Sequence, residues 1–216
     1  MEMYFAAVIC IVVMILIAKL AIWMNNPASV GRRGENTVER ALLRLSNDAR
    51  VLKNLYIPFG DNSTEIDILY ISQSGIFVIE VKNYGGWIFG NEKSKNWMAI
   101  HFQNRYSFYN PIKQNKIHID CLKKLINRKV NYYNIVVFSN RCEFKVLTVT
   151  SNDVHVIYYI DLHKLIKFLS INSSVKMTDD EVISIYNQLS KYTIDKVDKE
   201  IINKHNQYVQ NKKYAI

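Results

Sequence analysis

Two apolar, β-branched runs, Ile66 to Ile71 and Ile76 to Val81, are separated only by Ser72, Gln73, Ser74 and Gly75. Four turn-forming residues suit a hairpin, so the runs are expected to pair as antiparallel strands. That pairing constrains the rest of the chain, because it turns Glu65-Ile66-Asp67 on one strand toward Glu80-Val81-Lys82 on the other. Alternate residues of a strand share a face, which groups Glu65 with Asp67 and Glu80 with Lys82.

Charge in such apolar surroundings needs a cause. Facing carboxylates repel unless a cation lies between them, and oxygen ligands suit a divalent metal. Beside a scissile phosphate a metal can activate water, while a lysine orients the nucleophile or neutralises the phosphate as charge builds on it. Taken alone, the same residues also allow a simpler reading, an ion pair of Lys82 with Glu80 or Asp67 at a sheet end.

From Tyr4 to Met24 the chain is apolar except for Lys19. About 20 such residues in a helix match the hydrocarbon thickness of a bilayer, so residues 1–25 are expected to form a transmembrane anchor. Lys19 can carry its ammonium to the headgroups, and Trp23 suits the same interface. A cleaved secretory signal would want basic residues first, whereas here Glu2 is the early charge and Arg32 and Arg33 follow the apolar run. By the positive-inside rule those arginines predict a single-pass protein of the cell (inner) membrane with its globular part in the cytoplasm. A buried core helix is the alternative, and it would be unusually long and unbroken.

The remaining chain reads as one α/β domain, residues 26–150, and an extension, residues 151–216, of strand and helices packed on or next to it. Asn25 to Val30 is expected to be a linker. Val38, Ala41, Leu42 and Leu45 then repeat at helical spacing, which predicts a helix from about Gly34 to Ser46 with Glu35 on its inward stripe. Val51 to Ile57 reads as a strand and Pro58 to Thr64 as a turn. The aromatic stretch holding Trp87, Phe89, Trp97, Phe102, Tyr106 and Phe108 reads as short strands or an excursion over the sheet. Asn110-Pro111 has N-cap and first-turn character and opens a helix to about Asn127, with Gln114, Ile117, Cys121 and Leu125 on one face. Strands follow at 135–139, 144–149 and 154–159, and a helix at 161–169. Thr178 to Glu181 has the capping-box pattern, and a polar helix is expected from about Ile194.

A formal charge of +9, from 28 Lys and Arg against 19 Asp and Glu, favours an anionic partner, nucleic acid or acidic lipid. Cys10, Cys121 and Cys142 have no metal-binding spacing.

The ordered set Gly31, Gly34-Glu35, Val38, Leu42, Glu65-Ile66-Asp67, Gly75 through Asn83, Gly86, Trp97, Asn110-Pro111, Gln114 and His118 resembles the nuclease-related domain family. That family is a branch of the restriction-endonuclease-like superfamily, which includes Holliday-junction resolvases, and the resemblance covers about Gly31 to Ser139. It implies a restriction-endonuclease-like α/β core, a mixed central sheet flanked by helices, here preceded by one transmembrane helix. It also implies Asp67 and Glu80 as ligands of Mg2+ or Mn2+, with the Val81 carbonyl assisting, and Lys82 as the catalytic lysine. Glu35 and Gln114 match residues that complete the site in similar nucleases; read from their own positions, Glu35 could equally favour a helix N-terminus and Gln114 could be a core amide.

The expected function is therefore a membrane-anchored, divalent-metal-dependent nuclease acting on DNA, with membrane lipid as a second partner and a homodimer left open. The alternatives are a catalytically silent membrane-bound nucleic-acid-binding or scaffold protein, and an anchor that recruits a protein through its C-terminal helices.

Overall fold

The computed structural model describes residues 1–214, except for the side chains of residues 2, 3, 5–8, 21, 24, 25, 27 and 211–214. Two helices lead the chain, α1 (Glu2–Asn25) and α2 (Pro27–Leu42). Asn26 between them is extended, its side chain accepts a hydrogen bond from the Ala28 N–H at 3.0 Å, and Pro27 follows as the first helical residue. This is N-cap chemistry. The stretch expected as a linker, Asn25 to Val30, is thus the end of α1, the Asn26 cap and the first turn of α2, which starts at Pro27 instead of Gly34 and ends at Leu42 instead of Ser46.

Among the described residues no helix is long and apolar enough to cross a membrane. The expected span on α1 falls in part on side chains outside the described residues. Those of its side chains that are described, Ile9, Ile11 to Ile17, Leu20, Ile22 and Trp23, are exposed.

β1 (Arg50–Phe59) and β2 (Asn62–Ser72) form a long antiparallel hairpin that pairs Pro58 with Ser63 and Phe59 with Asn62. The turn expected over Pro58 to Thr64 shrinks to Gly60 and Asp61, Gly60 supplying the left-handed φ of +58°. β3 (Gly75–Lys82) pairs with β2 from Ser72↔Gly75 to Ile68↔Ile79, the hairpin the sequence predicts. β3 then runs parallel to β7 (Tyr132–Phe138), and β7 parallel to β9 (Val154–Tyr158). The central sheet, in the order β1-β2-β3-β7-β9, is mixed.

Helices cover both of its faces. On one, Leu69, Ile71, Ile76 and Val78 pack against Leu122 and Ile126 of α3 (Pro111–Ile126) and Val182, Ile185 and Leu189 of α5 (Asp179–Ser190). On the other, Ile68, Tyr70, Phe77 and Ile79 meet Val38 and Leu42 of α2 and Leu162 and Ile166 of α4 (Leu162–Ile171). A strand buried on both sides has no polar face, which is why the hairpin runs are continuously apolar.

The aromatic stretch forms β4 (Gly86–Asn91), β5 (Asn96–His101) and β6 (Asn104–Tyr109). With β8 (Cys142–Thr148) they make a second mixed sheet in the order β6-β5-β4-β8. Its Ile88, Trp97 and Ala99 pack on Val136 and Phe138 of β7. Trp87, Phe102 and Tyr106 face outward. α5 carries the expected capping box at Thr178 and Glu181. The polar helix α6 (Lys199–Tyr214) begins later than expected and lies along β2.

Candidate active site

β2 and β3 part company just past Ile68 and Ile79, where Asp67 and Glu80 would form the next pair. There the Asp67 carboxylate replaces the ladder: the Val81 backbone N–H donates to its Oδ2 at 2.8 Å. Glu80 and Lys82 alternate along β3 and so share the α3 face with Val78. The Lys82 ammonium donates to Glu80 Oε1 at 2.5 Å and reaches Gln114 Oε1 at 3.5 Å. Glu80 is 1% exposed and the Lys82 side chain 19%.

α3 is held in register by a buried amide network. Asn115 Nδ2 donates to the Val78 and Ile135 carbonyls at 2.6 and 3.2 Å and to Asn134 Oδ1 at 3.0 Å, and Asn134 Nδ2 donates to the Ile112 carbonyl at 3.1 Å. Asn110 starts the helix: its Oδ1 accepts from the Ile112 N–H at 3.0 Å, and its Nδ2 binds the Glu92 and Ser94 carbonyls of the β4–β5 turn at 2.9 and 2.8 Å. Since side chains four apart on a helix stack on one face, fixing α3 directs Gln114 and His118 together at Glu80 and Lys82.

Electrostatics at the site are unfavourable for these side chains by themselves. Burial, then the Glu80 charge, pushes the Asp67 carboxyl up to about 7. Burial also raises Glu80, against the pull of Lys82. Glu35 on α2 goes up to about 7 through burial and then the Asp67 charge, so it lies in the field of Asp67 without a hydrogen bond to it. Burial by itself would lower the Lys82 ammonium, but Glu80 and Asp67 raise it on balance above the ordinary lysine value. Among the described residues neither buried Glu80 Oε2 nor His118 Nδ1, 4.0 Å away, has a hydrogen-bond partner.

These donors fit a divalent cation. Mg2+ is commonly held by one or two carboxylates and completes its shell with water and substrate phosphate. Asp67 and Glu80 supply the two carboxylates, and Glu80 Oε2 supplies a desolvated oxygen without a hydrogen-bond partner among the described residues. Among the described residues no group of three or more His, Cys, Asp or Glu side chains could hold a metal, so water and substrate would have to contribute.

Of the residues singled out in the sequence, Asp67, Glu80, Lys82 and Gln114 come together directly, and Glu35 borders them across Asp67. Four neighbours were not assigned. His118 sits one turn beyond Gln114 and is kept neutral, its pKa lowered to about 3 by burial and then by Lys82. Glu65, visible in the sequence beside Asp67, lies opposite Tyr56, its cross-strand partner. His205 arrives from α6: its Nδ1 lies 2.9 Å from the Ser63 carbonyl, its Nε2 4.0 Å from Glu65 Oε2, and its ring meets Tyr56 edge-on at 5.3 Å. No spacing in the sequence links His205 to a strand so far upstream, and Tyr56 is one of 14 tyrosines.

The chain matches the nuclease-related domain over residues 30–139. An uncharacterized protein of Bacillus anthracis is 38% identical over 189 residues, which is 86% of each chain. No solved structure matches.

Proposed function

We propose, from the premise that this chain belongs to the nuclease-related domain family of the restriction-endonuclease-like fold, that it is a membrane-anchored, divalent-metal-dependent nuclease hydrolysing DNA phosphodiester bonds. The observation that supports this reading is the convergence of half-buried Asp67 and Lys82 on buried Glu80 where β2 and β3 part. Burial raises both carboxyls and the Glu80 charge adds to the rise at Asp67, a cost in stability best explained by a charged ligand.

Magnesium or manganese on Asp67 and Glu80, with the Val81 carbonyl, would supply Lewis-acid polarisation of the phosphate and a more acidic water. Lys82 stays charged at neutral pH and faces the negative charge that gathers on the phosphoryl oxygens as water adds to phosphorus and the ester oxygen leaves. Gln114 and Glu80 grip its ammonium from two sides and so fix its direction. Glu35, titrating near neutrality, is suited to accept a proton at its carboxylate. The formal charge of +9 favours a polyanionic substrate.

Anchoring rests on the sequence of α1, several of whose side chains lie outside the described residues: the run from Tyr4 to Met24, apolar except for Lys19, would extend roughly 30 Å at the helical rise. Arg32 and Arg33 just after it favour a cytoplasmic domain. Retention of the full chain in carbonate-washed membranes, and its release when residues 1–25 are deleted, is the expected result.

The decisive experiment incubates the purified full chain with labelled linear, branched and single-stranded DNA and Mg2+ or Mn2+, alongside Asp67→Ala and Lys82→Ala. Metal-dependent cutting that disappears in both variants supports the nuclease. A silent nucleic-acid-binding protein is the second reading, favoured by the Lys82 ammonium already occupying Glu80 Oε1. Salt-sensitive binding without cutting, unchanged in both variants, would establish that one instead.

A further inference from the structure

Lys82 and Asn83 are consecutive, so they point to opposite faces at the same end of β3. On the Asn83 side lies a cavity of about 300 Å³, bounded by Arg33 and Thr37 of α2, Asn83 after β3, and Ser139, Asn140 and Arg141 after β7. None of its described lining residues is acidic.

Its walls are built. Asn83 Nδ2 donates to the Val30 carbonyl at 2.6 Å, tying the first turns of α2 to the sheet. Gly34 makes that approach possible: a Cβ there would lie 2.8 Å from the Asn83 Cβ. Asn83 in turn orients Arg141, whose Nη2 donates to the Asn83 carbonyl at 3.1 Å and to Asn83 Oδ1 at 2.9 Å, while its Nε donates to Ser139 Oγ at 3.2 Å. Every one of these acceptors is neutral, and Arg141 makes no ion pair among the described residues. A guanidinium anchored along one edge and left without counter-charge presents its remaining Nη1 donors to an anion. Asn140 spends its Oδ1 on the Ile160 N–H at 3.2 Å, which leaves its amide N–H groups without an acceptor among the described residues.

We propose that this cavity is a phosphate subsite, in which Arg141, Arg33 and the Asn140 amide hold the nucleic-acid phosphate neighbouring the one that meets Lys82. The assignment rests on the nuclease reading for the identity of the strand. β3 thus separates two cationic stations, one that reacts and one that grips, at the C-terminal ends of parallel β3 and β7 where open α/β sheets bind ligands. A phospholipid headgroup offers the same phosphate chemistry, and the test separates the two sources.

The full chain, with metal chelated so that nothing is cut, is titrated with labelled DNA over a range of salt, as wild type, Arg141→Gln, Arg141→Lys and Arg33→Gln. Loss of one phosphate contact should weaken Arg141→Gln about tenfold and reduce the slope of log affinity against log salt by about one. Arg141→Lys should keep the slope, which separates lost charge from misfolding, and Arg33→Gln, outside the Asn83 frame, should lower it as Arg141→Gln does. A single neutral methylphosphonate, moved along the strand, should weaken the wild type at one position next to the cut and have no effect there in Arg141→Gln.

Unchanged affinity and slope in both glutamine variants would overturn the subsite. So would loss of binding to phosphatidylglycerol vesicles with DNA binding intact, which would hand the cavity to lipid. Adding Mg2+ tests the nuclease separately. Cutting without Arg141-dependent binding removes the subsite alone, Arg141-dependent binding without cutting keeps the subsite and removes the nuclease, and a wild type that does not bind DNA removes both.

Discussion

The Val81 backbone N–H donates to Asp67 Oδ2 at 2.8 Å, directly beyond the last β2–β3 pair, Ile68 and Ile79. A carboxylate thus stands in for a strand carbonyl, and burial and Glu80 raise its carboxyl from an ordinary 3.8 to about 7. A raised carboxyl contributes its full stability below the unfolded value and loses it as pH climbs through the folded one. Asp67→Asn keeps an oxygen for the Val81 N–H and removes the charge. Without metal, the variant should therefore be more stable than wild type at pH 8 by about 2 kcal/mol and equal to it near pH 3. Urea unfolding at both pH values measures this; equal stability at pH 8 would remove the strain assigned to the carboxylate pair.

The same sign governs metal uptake. Asp67 and Glu35 both titrate near 7, so below that pH a cation must displace protons to bind. Raising pH from 6 to 8 should tighten Mn2+ binding by roughly tenfold or more, with proton release detectable by calorimetry in buffers of different ionisation enthalpy. Glu35→Gln should flatten this dependence while leaving binding in place. A pH-independent affinity would mean that the cation sits elsewhere.

Lys82 has two functions that substitution separates. It neutralises Glu80, which is 1% exposed, and it faces the substrate. Lys82→Met should lower stability at pH 8 by roughly 2–4 kcal/mol, because among the described residues Glu80 loses its only ion-pair partner of fixed charge. At pH 5 the loss should be smaller, since the raised Glu80 carboxyl can take a proton. Lys82→Arg should restore much of the stability but not the cleavage rate, which should fall by about 100-fold or more, since a planar fork cannot occupy the ammonium's position between Glu80 and Gln114.

How much of this was legible in the sequence follows from which interactions are local. The β2–β3 hairpin, the Asn110 cap of α3 and the Thr178 capping box each depend on residues within a few positions, and each was readable. The Asn26-Pro27 start of α2 carries the same signal as Asn110-Pro111, but its proximity to an apolar leader made it look like a linker. The second sheet was not readable, because β4 pairs in parallel with β8, more than fifty residues later, and apolar runs do not name their partners. Asp67, Glu80 and Lys82 stood out as charges among apolar neighbours. His205 and Tyr56 did not, because their contact with Glu65 exists only once α6 lies along β2.

That contact yields the last prediction. His205 is buried on α6, outside the matched residues 30–139, yet its Nδ1 meets the Ser63 carbonyl at 2.9 Å and its ring meets Tyr56, the cross-strand partner of Glu65. A carbonyl only accepts, so Nδ1 carries the proton and donates there. His205→Ala removes that donor and the ring contact, leaving the Ser63 carbonyl to find water, and should cost about 1–3 kcal/mol. If α6 serves only to cover β2, the variant should cut DNA at the wild-type rate once folded. If α6 steadies Glu65 beside Asp67, the rate should fall as it does in Glu65→Gln, and combining the two substitutions should add nothing further. Hydrogen exchange of the β2 amides in His205→Ala, set beside its cleavage rate, separates the two outcomes: loss of protection with full activity makes α6 a cover, and loss of both makes it part of the site.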